Sequence, residues 1–131
     1  MAKPTEFVVI YLLTLLSLAG CARKSPPEDP AAWKKIKMDL SRLDENGLAG
    51  PAGGKVAVNY EFCIPAREKN WKEIQRIDKT AQLQKQSKGR IGCQSGTWLV
   101  IGSTHQPNHR RVLYELAVLS YVQQIQETFF E

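Results

Sequence analysis

KVAVNYEFCI, residues 55–64, is the stretch that decides the fold. Every second residue from Val56 to Ile64 is apolar, and the residues between them are small or polar. Alternation with this period predicts a β-strand that buries one face and leaves the other face open. Pro65 follows directly and is expected to end the strand, because proline cannot donate a backbone hydrogen bond.

The sequence after Pro65 alternates between helical and strand patterns. It predicts, in order, a helix over residues 66–78, a polar edge strand over 80–86, an apolar central strand over 97–104, a helix starting near Pro107, and a closing strand over 121–130. The resulting order is β-α-β-β-α-β. This order predicts an α+β domain with a ferredoxin-like antiparallel sheet, in which the four strands lie in the order 4-1-3-2. The fold by itself does not specify a function.

A short helix and a glycine-rich loop are predicted upstream of this domain, over residues 31–54. The helical pattern covers residues 30–43, where one face carries Trp33, Ile36, Leu40 and Leu43, and residues 44–54 contain four glycines. The helix is expected to pack on the open face of the sheet, and the alternative is that it lies on a membrane surface. The globular domain is accordingly placed at residues 55–131.

The start of the chain carries a different kind of signal. Residues 7–20, FVVIYLLTLLSLAG, form an apolar run that is short for a membrane span, and Cys21 follows it. Leu18, Ala19, Gly20 and Cys21 resemble the lipobox of bacterial lipoproteins, which is an aliphatic residue, two small residues and a cysteine. The resemblance covers about the first 21 residues.

The lipobox resemblance implies that residues 1–20 are a signal peptide and that Cys21 carries diacylglycerol through a thioether. Cleavage before Cys21 and acylation of the new amino terminus would follow, and two or more acyl chains anchor a protein stably. The alternative is an uncleaved membrane anchor. Residues 21–30 contain three prolines and read as a tether. Ala22 stands where bacteria with two membranes place an Asp for inner-membrane retention, which favours an outer-membrane lipoprotein facing the periplasm.

Length and charge limit the classes of function. The chain has 131 residues, and removal of residues 1–20 leaves enough for one domain. Net charge is +5, and it is unchanged by removal of the signal peptide, which contains Lys3 and Glu6. A mildly basic domain favours an anionic surface or an envelope protein as its partner. Nucleic acid is not expected, because no dense Lys/Arg stripe is interleaved with stacking aromatic residues.

The cysteines predict one disulfide. The chain has three, and lipidation of Cys21 would leave Cys63 and Cys93 as a pair in an oxidising compartment. In the predicted sheet the end of the first strand lies beside the start of the third, so the topology also brings these two cysteines together. A bond closing this loop would contribute on the order of 3 kcal/mol. Two free buried thiols are the alternative, and no CxxC motif supports a metal site.

Candidate functional residues are few. Glu61 is expected on the open sheet face with Trp98 beside it, where the two would form a docking surface. His105 and His109 flank a turn and are weak candidates for a ligand or metal site. Arg67 resembles the phosphate-holding arginine of acylphosphatase-like hydrolases, although the glycine-rich loop of that family is missing. The sequence therefore favours a non-enzymatic role in binding or envelope assembly, without a cofactor, over a small ligand- or metal-binding module or a small hydrolase.

Overall fold

The structure is a computed structural model that describes Gly20 and residues 27–129. Cys21, the rest of the predicted signal peptide and most of the predicted tether lie outside the described residues. No helix in the described part of the chain is long and apolar enough to span a bilayer.

The described residues form a mixed α and β structure. Its three α-helices are α1 (Pro30–Lys34), α2 (Glu68–Ile77) and α3 (His109–Val118), and Leu40–Arg42 forms a 3₁₀ turn. Its strands are β1 (Ile36–Lys37), β2 (Leu48–Ala49), β3 (Val56–Ala57), β4 (Asn59–Pro65), β5 (Gln82–Gln84), β6 (Thr97–Ser103) and β7 (Ile125–Thr128). The α+β class predicted from the sequence is confirmed.

The main sheet has five strands in the order β1-β7-β4-β6-β5, and β2 and β3 form a separate two-stranded sheet. β4 pairs antiparallel with both β6 and β7, and β5 pairs antiparallel with β6. The fifth strand, β1, pairs parallel with β7. The sheet order therefore differs from the predicted four-strand order by an added edge strand.

The hydrophobic core lies between the sheet and the helices. Tyr60, Phe62 and Ile64 of β4 are fully buried, as the alternation in the sequence predicted. Ile74 of α2 and four residues of α3 pack against them: Val112, Leu113, Leu116 and Ala117. The three apolar side chains of β4 thus fix the face of the sheet on which both helices lie.

The prediction of one helix over residues 30–43 is wrong beyond Lys34. Asp29 caps α1 by accepting from Ala31 N at 2.9 Å, but the chain becomes extended at Ile36 and joins the sheet as β1. Ile125 N of β7 donates to Lys35 O at 2.9 Å. The open edge of β7 offers backbone partners that local periodicity does not reveal. α1 and β1 consequently pack with the elements that follow residue 55.

The Trp33 helix also packs elsewhere than expected. Its predicted position was the open face of the sheet, but α1 packs on α3, where the Trp33 and Tyr114 ring centroids lie 5.1 Å apart. Asp29 N donates to Tyr114 Oη at 2.7 Å, and Ala32 is buried in the core. The described chain therefore enters the domain on its helical side.

The glycine-rich segment over residues 44–54 is ordered by Asp44. Its carboxylate accepts from the backbone N of Asn46 and Leu48, and it pairs with Lys55 Nζ at 2.8 Å. The hydrogen bond from Lys55 is the main reason that the pKa of Asp44 falls to about 2.

The strand predicted over residues 55–64 is split in the structure. Val56 and Ala57 pair with β2, whereas the residues from Asn59 onward pair with β6.

We expect Gly102→Ala to destabilise the protein, because the added Cβ would lie 2.5 Å from the buried Tyr60 ring. Overpacking of this kind costs about 1–3 kcal/mol. Urea unfolding followed by circular dichroism measures the loss. Gly53→Ala is the matched control, since its Cβ would meet nothing within 4 Å. Equal unfolding midpoints for the two variants would contradict the prediction.

Candidate functional site

A cleft lies at the end of the sheet where β4 finishes and β6 begins. Its volume is about 660 Å³, within the usual range for small-ligand sites. The cysteine pair, the ends of both strands and the segment between α3 and β7 line it, with Pro65, Gln94, Thr97, Tyr121, Gln123 and Gln124 among the contributing residues.

A disulfide forms one wall of the cleft. Cys63 and Cys93 are bonded with a Cα–Cα distance of 5.6 Å, which confirms the predicted pairing. Cys63 pairs with Leu99 across the sheet, and Cys93 lies in the loop that leads to β6. The bond closes a separation of 30 residues, so it restricts the unfolded chain and holds this loop against the sheet.

The chemistry of the cleft is neutral. No charged residue is among the described residues that line it. Tyr121 Oη donates to Glu73 Oε1 at 2.6 Å, and burial followed by this hydrogen bond raises the pKa of Tyr121 to about 12. The side-chain amides of Gln94 and Gln123 form no hydrogen bond within the described chain. These two amides can therefore hydrogen-bond an uncharged ligand or a chain segment.

Glu61 is buried, contrary to the expectation that it lies on an open face. Only 2% of its surface is exposed, because residues 88–91 cover it. Glu61 Oε1 accepts from Ile91 N at 2.6 Å and from Gln126 Nε2 at 3.1 Å. A Cβ on Gly89 would lie 2.7 Å from Glu61 Oε2. Glu61 therefore fixes the covering loop and is not available for docking.

Trp98 does not join Glu61, so the prediction that the two side chains share one face of the sheet is wrong. Trp98 lies opposite Ile64 in the β4–β6 register, which places it on the helical face, whereas Glu61 lies opposite Ile101 on the other face. Trp98 is partly buried against the core, and Lys85 Nζ lies 4.4 Å from its ring centroid. The sequence could not place Trp98, because its face depends on the pairing register.

His105 and His109 lie near the turn before β2, far along β6 from the disulfide. His105 Nδ1 is 3.3 Å from Asn46 O, and His109 Nδ1 is buried without a described partner. Gly47 approaches the His109 ring closely, since a Cβ there would lie 3.2 Å from His109 Cγ. No three His, Cys, Asp or Glu side chains among Gly20 and residues 27–129 are placed to hold a metal ion. Arg67, the hydrolase candidate, is exposed just before α2.

A buried polar network was missed in the sequence. Asp78, which is 1% exposed at the end of α2, accepts from Tyr60 Oη at 2.5 Å, from Thr80 N at 2.9 Å and from Thr80 Oγ1 at 2.7 Å. Gln106 Nε2 donates to Asp78 Oδ1 at 3.1 Å and to Ser103 O at 2.8 Å. No described cation pairs with Asp78. Neutral donors therefore satisfy a buried carboxylate, which is a structural role.

A basic face is the second surface feature that stands out. Lys69, Lys72, Arg76 and Lys79 follow the helical spacing 0, 3, 7 and 10 along α2 and the residues after it. Together with Gln75 they line one open depression of about 620 Å³. We name these four residues the α2 basic face.

Comparison of the chain with protein-family models, curated proteins and solved structures finds no match.

Tyr60→Phe is expected to lower the free energy of unfolding by about 1–3 kcal/mol, because Asp78 Oδ2 loses its donor while it stays buried. Urea unfolding at neutral pH measures this. Tyr114→Phe, whose hydroxyl accepts at an exposed site, is the matched control and should cost less. A smaller loss in Tyr60→Phe than in the control would rule out the stabilising role of the network.

The same variant should change the stability at alkaline pH. Burial and the neighbouring Asp78 raise the pKa of Tyr60 well above its ordinary value of 10. The folded state thus holds a proton that the unfolded chain releases, so stability is complete below about pH 10 and falls as the pH rises further. Unfolding free energies measured across this range should decline less steeply in Tyr60→Phe than in the wild-type protein. Identical slopes would contradict the assignment.

Glu61→Ala should release the covering loop, because Ile91 N loses its acceptor. Faster hydrogen exchange at Ile91 and a stability loss of about 1–3 kcal/mol are expected. Glu61→Gln is the control, since it keeps an acceptor oxygen and should retain slower exchange at Ile91. Unchanged exchange in Glu61→Ala would show that the disulfide alone holds the loop.

Proposed function

We propose that the protein is a lipid-anchored lipoprotein of the bacterial cell envelope, with Cys21 as its lipidated residue. The observation that carries the proposal is the Cys63–Cys93 disulfide, because it accounts for both remaining cysteines. A structural disulfide indicates folding outside the reducing cytoplasm. That compartment is the one to which a lipobox directs a chain, so two independent features support the same location.

The proposed position is the extracytoplasmic side of a membrane. Ala22 follows the lipidated cysteine in place of the Asp that signals retention in the inner membrane. In a bacterium with two membranes, the protein would therefore sit in the outer membrane and face the periplasm. Its domain would stay close to that membrane, because few residues separate Cys21 from the packed unit.

The proposed role is non-enzymatic binding or envelope assembly, with the disulfide cleft as the contact site. The free amides of Gln94 and Gln123, a tyrosine ring and apolar walls suit an uncharged ligand or a chain segment of a partner. Acid–base catalysis usually needs a carboxylate or an imidazole facing the ligand, and the described residues that line the cleft include neither. This contrast supports binding over catalysis.

We also propose a ferredoxin-like unit for the four strands β7-β4-β6-β5. Their order, their antiparallel pairing, and the positions of α2 after β4 and α3 after β6 support it. β1 would then be an addition that extends this unit at the β7 edge. Such a unit presents a helical side and a sheet side, so it can make two different contacts at once.

The intact mass of protein extracted from membranes with detergent tests the anchor and the disulfide together. We expect a mass that includes the lipid and begins at Cys21, and that takes up two alkyl groups only after reduction. The thioether on Cys21 blocks alkylation of that sulfur, whereas reduction frees Cys63 and Cys93.

Two variants separate the anchor from the disulfide. Cys21→Ser should lose the lipid mass, and Cys63→Ser/Cys93→Ser should keep it while losing the alkylation that follows reduction. An unlipidated protein with free thiols would overturn the proposal and would direct attention to thiol chemistry at Cys63 and Cys93.

A further inference from the structure

The α2 basic face points directly away from the sheet. Ile74 is fully buried against the core, and Lys72 and Arg76 lie two residues before and after it. At 100° per residue, each of these side chains is about 160° around the helix from Ile74. Lys69 extends the same exposed face by one turn toward the start of α2, and Lys79, which follows the end of the helix, lines the same depression. The four cations thus form one outward stripe on the helical side of the domain.

The charge of this stripe is not neutralised within the described chain. None of its four cations forms an ion pair with a described carboxylate. The two acidic residues of α2 are engaged at its margins, since Glu68 pairs with Lys85 and Glu73 accepts from Tyr121 Oη. Lys79 Nζ donates to Gln75 O at 3.1 Å, and the depression among the four cations presents their positive charge to an external anion.

The path of the chain places this stripe near the membrane if Cys21 is lipidated. Asp29 N is bonded to Tyr114 of α3, so the tether enters on the helical side. The six peptide units from Cys21 to Pro27 span at most about 20 Å. A domain held within this distance is confined beside the bilayer surface, so a weak electrostatic contact can be well populated.

We propose that the α2 basic face binds the anionic head groups of phospholipids in the membrane that carries the anchor. The inference rests on the proposed function, because the anchor supplies the proximity. Each Lys or Arg at an anionic bilayer shifts the contact equilibrium by roughly fivefold. Contact through α2 turns the helical layer toward the membrane and leaves the sheet side facing away from it.

Amine acylation on vesicles tests this contact. Protein extracted with its anchor is reconstituted into vesicles of phosphatidylcholine alone or with phosphatidylglycerol, and lysine acylation is measured by peptide mass spectrometry. Labelling of Lys69, Lys72 and Lys79 should slow several-fold on the anionic vesicles, and added salt should restore it. Labelling of Lys37 and Lys88 should not change, since both are exposed away from the helical layer.

Two double variants with equal charge change make the test specific. Lys72→Gln/Arg76→Gln should abolish the protection of Lys69 and Lys79 on anionic vesicles. Lys37→Gln/Lys88→Gln should leave that protection unchanged. Every side chain that is substituted or monitored in this test is exposed. Neither double variant is therefore expected to lower the stability of the fold.

The outcomes separate this inference from the proposed function. Failure of the protein to float with phosphatidylcholine vesicles would overturn the anchor, whereas flotation with both kinds of vesicle without protection of the lysines would overturn the inference alone. Equal labelling on neutral and anionic vesicles would overturn the inference. Protection by a soluble polyanion but not by anionic vesicles would also overturn it, and would assign the face to an acidic polymer.

Discussion

The hydrogen bond from the Tyr60 hydroxyl to the buried Asp78 carboxylate constrains how α2 packs on the sheet. It joins the central strand β4 to the end of α2, and Thr80 and Gln106 extend the network to β5 and to the turn after β6. A buried carboxylate without these donors would be strongly unfavourable, because no described cation pairs with it. The close approach of Gly102 to the Tyr60 ring is part of the same arrangement. The position of Tyr60 therefore links the sheet to the end of α2.

The two faces of the sheet are held by different forces. Apolar side chains of β4, α2 and α3 fill the helical face, whereas the other face is covered by a loop fixed through the Cys63–Cys93 bond and Glu61. The neutral cleft opens beside this disulfide, and the α2 basic face lies on the helical side. A lipid anchor entering on the helical side would leave the cleft accessible to a partner. The proposed binding role and the proposed membrane contact thus use separate surfaces.

Patterns within a few residues predicted much of the secondary structure. The alternation around Tyr60, the apolar run of β6 and the stripes of α2 and α3 all lie where the sequence indicated, with shorter bounds. The disulfide followed from the cysteine count and the strand order together. The helix predicted over residues 30–43 was wrong after Lys34, because hydrogen bonding to the edge of β7 overrides a weak helical preference. The prediction that Glu61 is exposed was also wrong, because the loop of residues 88–91, which is distant in sequence, covers it.

Local patterns and the cysteine count were enough to predict the α+β class, the buried side of β4 and the pairing of Cys63 with Cys93, and residues 18–21 carry the lipobox resemblance on which the proposed anchor rests. Only the tertiary structure decided that Trp98 and Glu61 lie on opposite faces, that α1 packs on α3, and that Asp78 is buried. The physical reason is the range of the interactions. Helix and strand periods are set by neighbours within one or two turns, whereas the Tyr60 and Gln106 donors to Asp78 lie 18 residues before it and 28 residues after it. Only the folded chain brings such groups together.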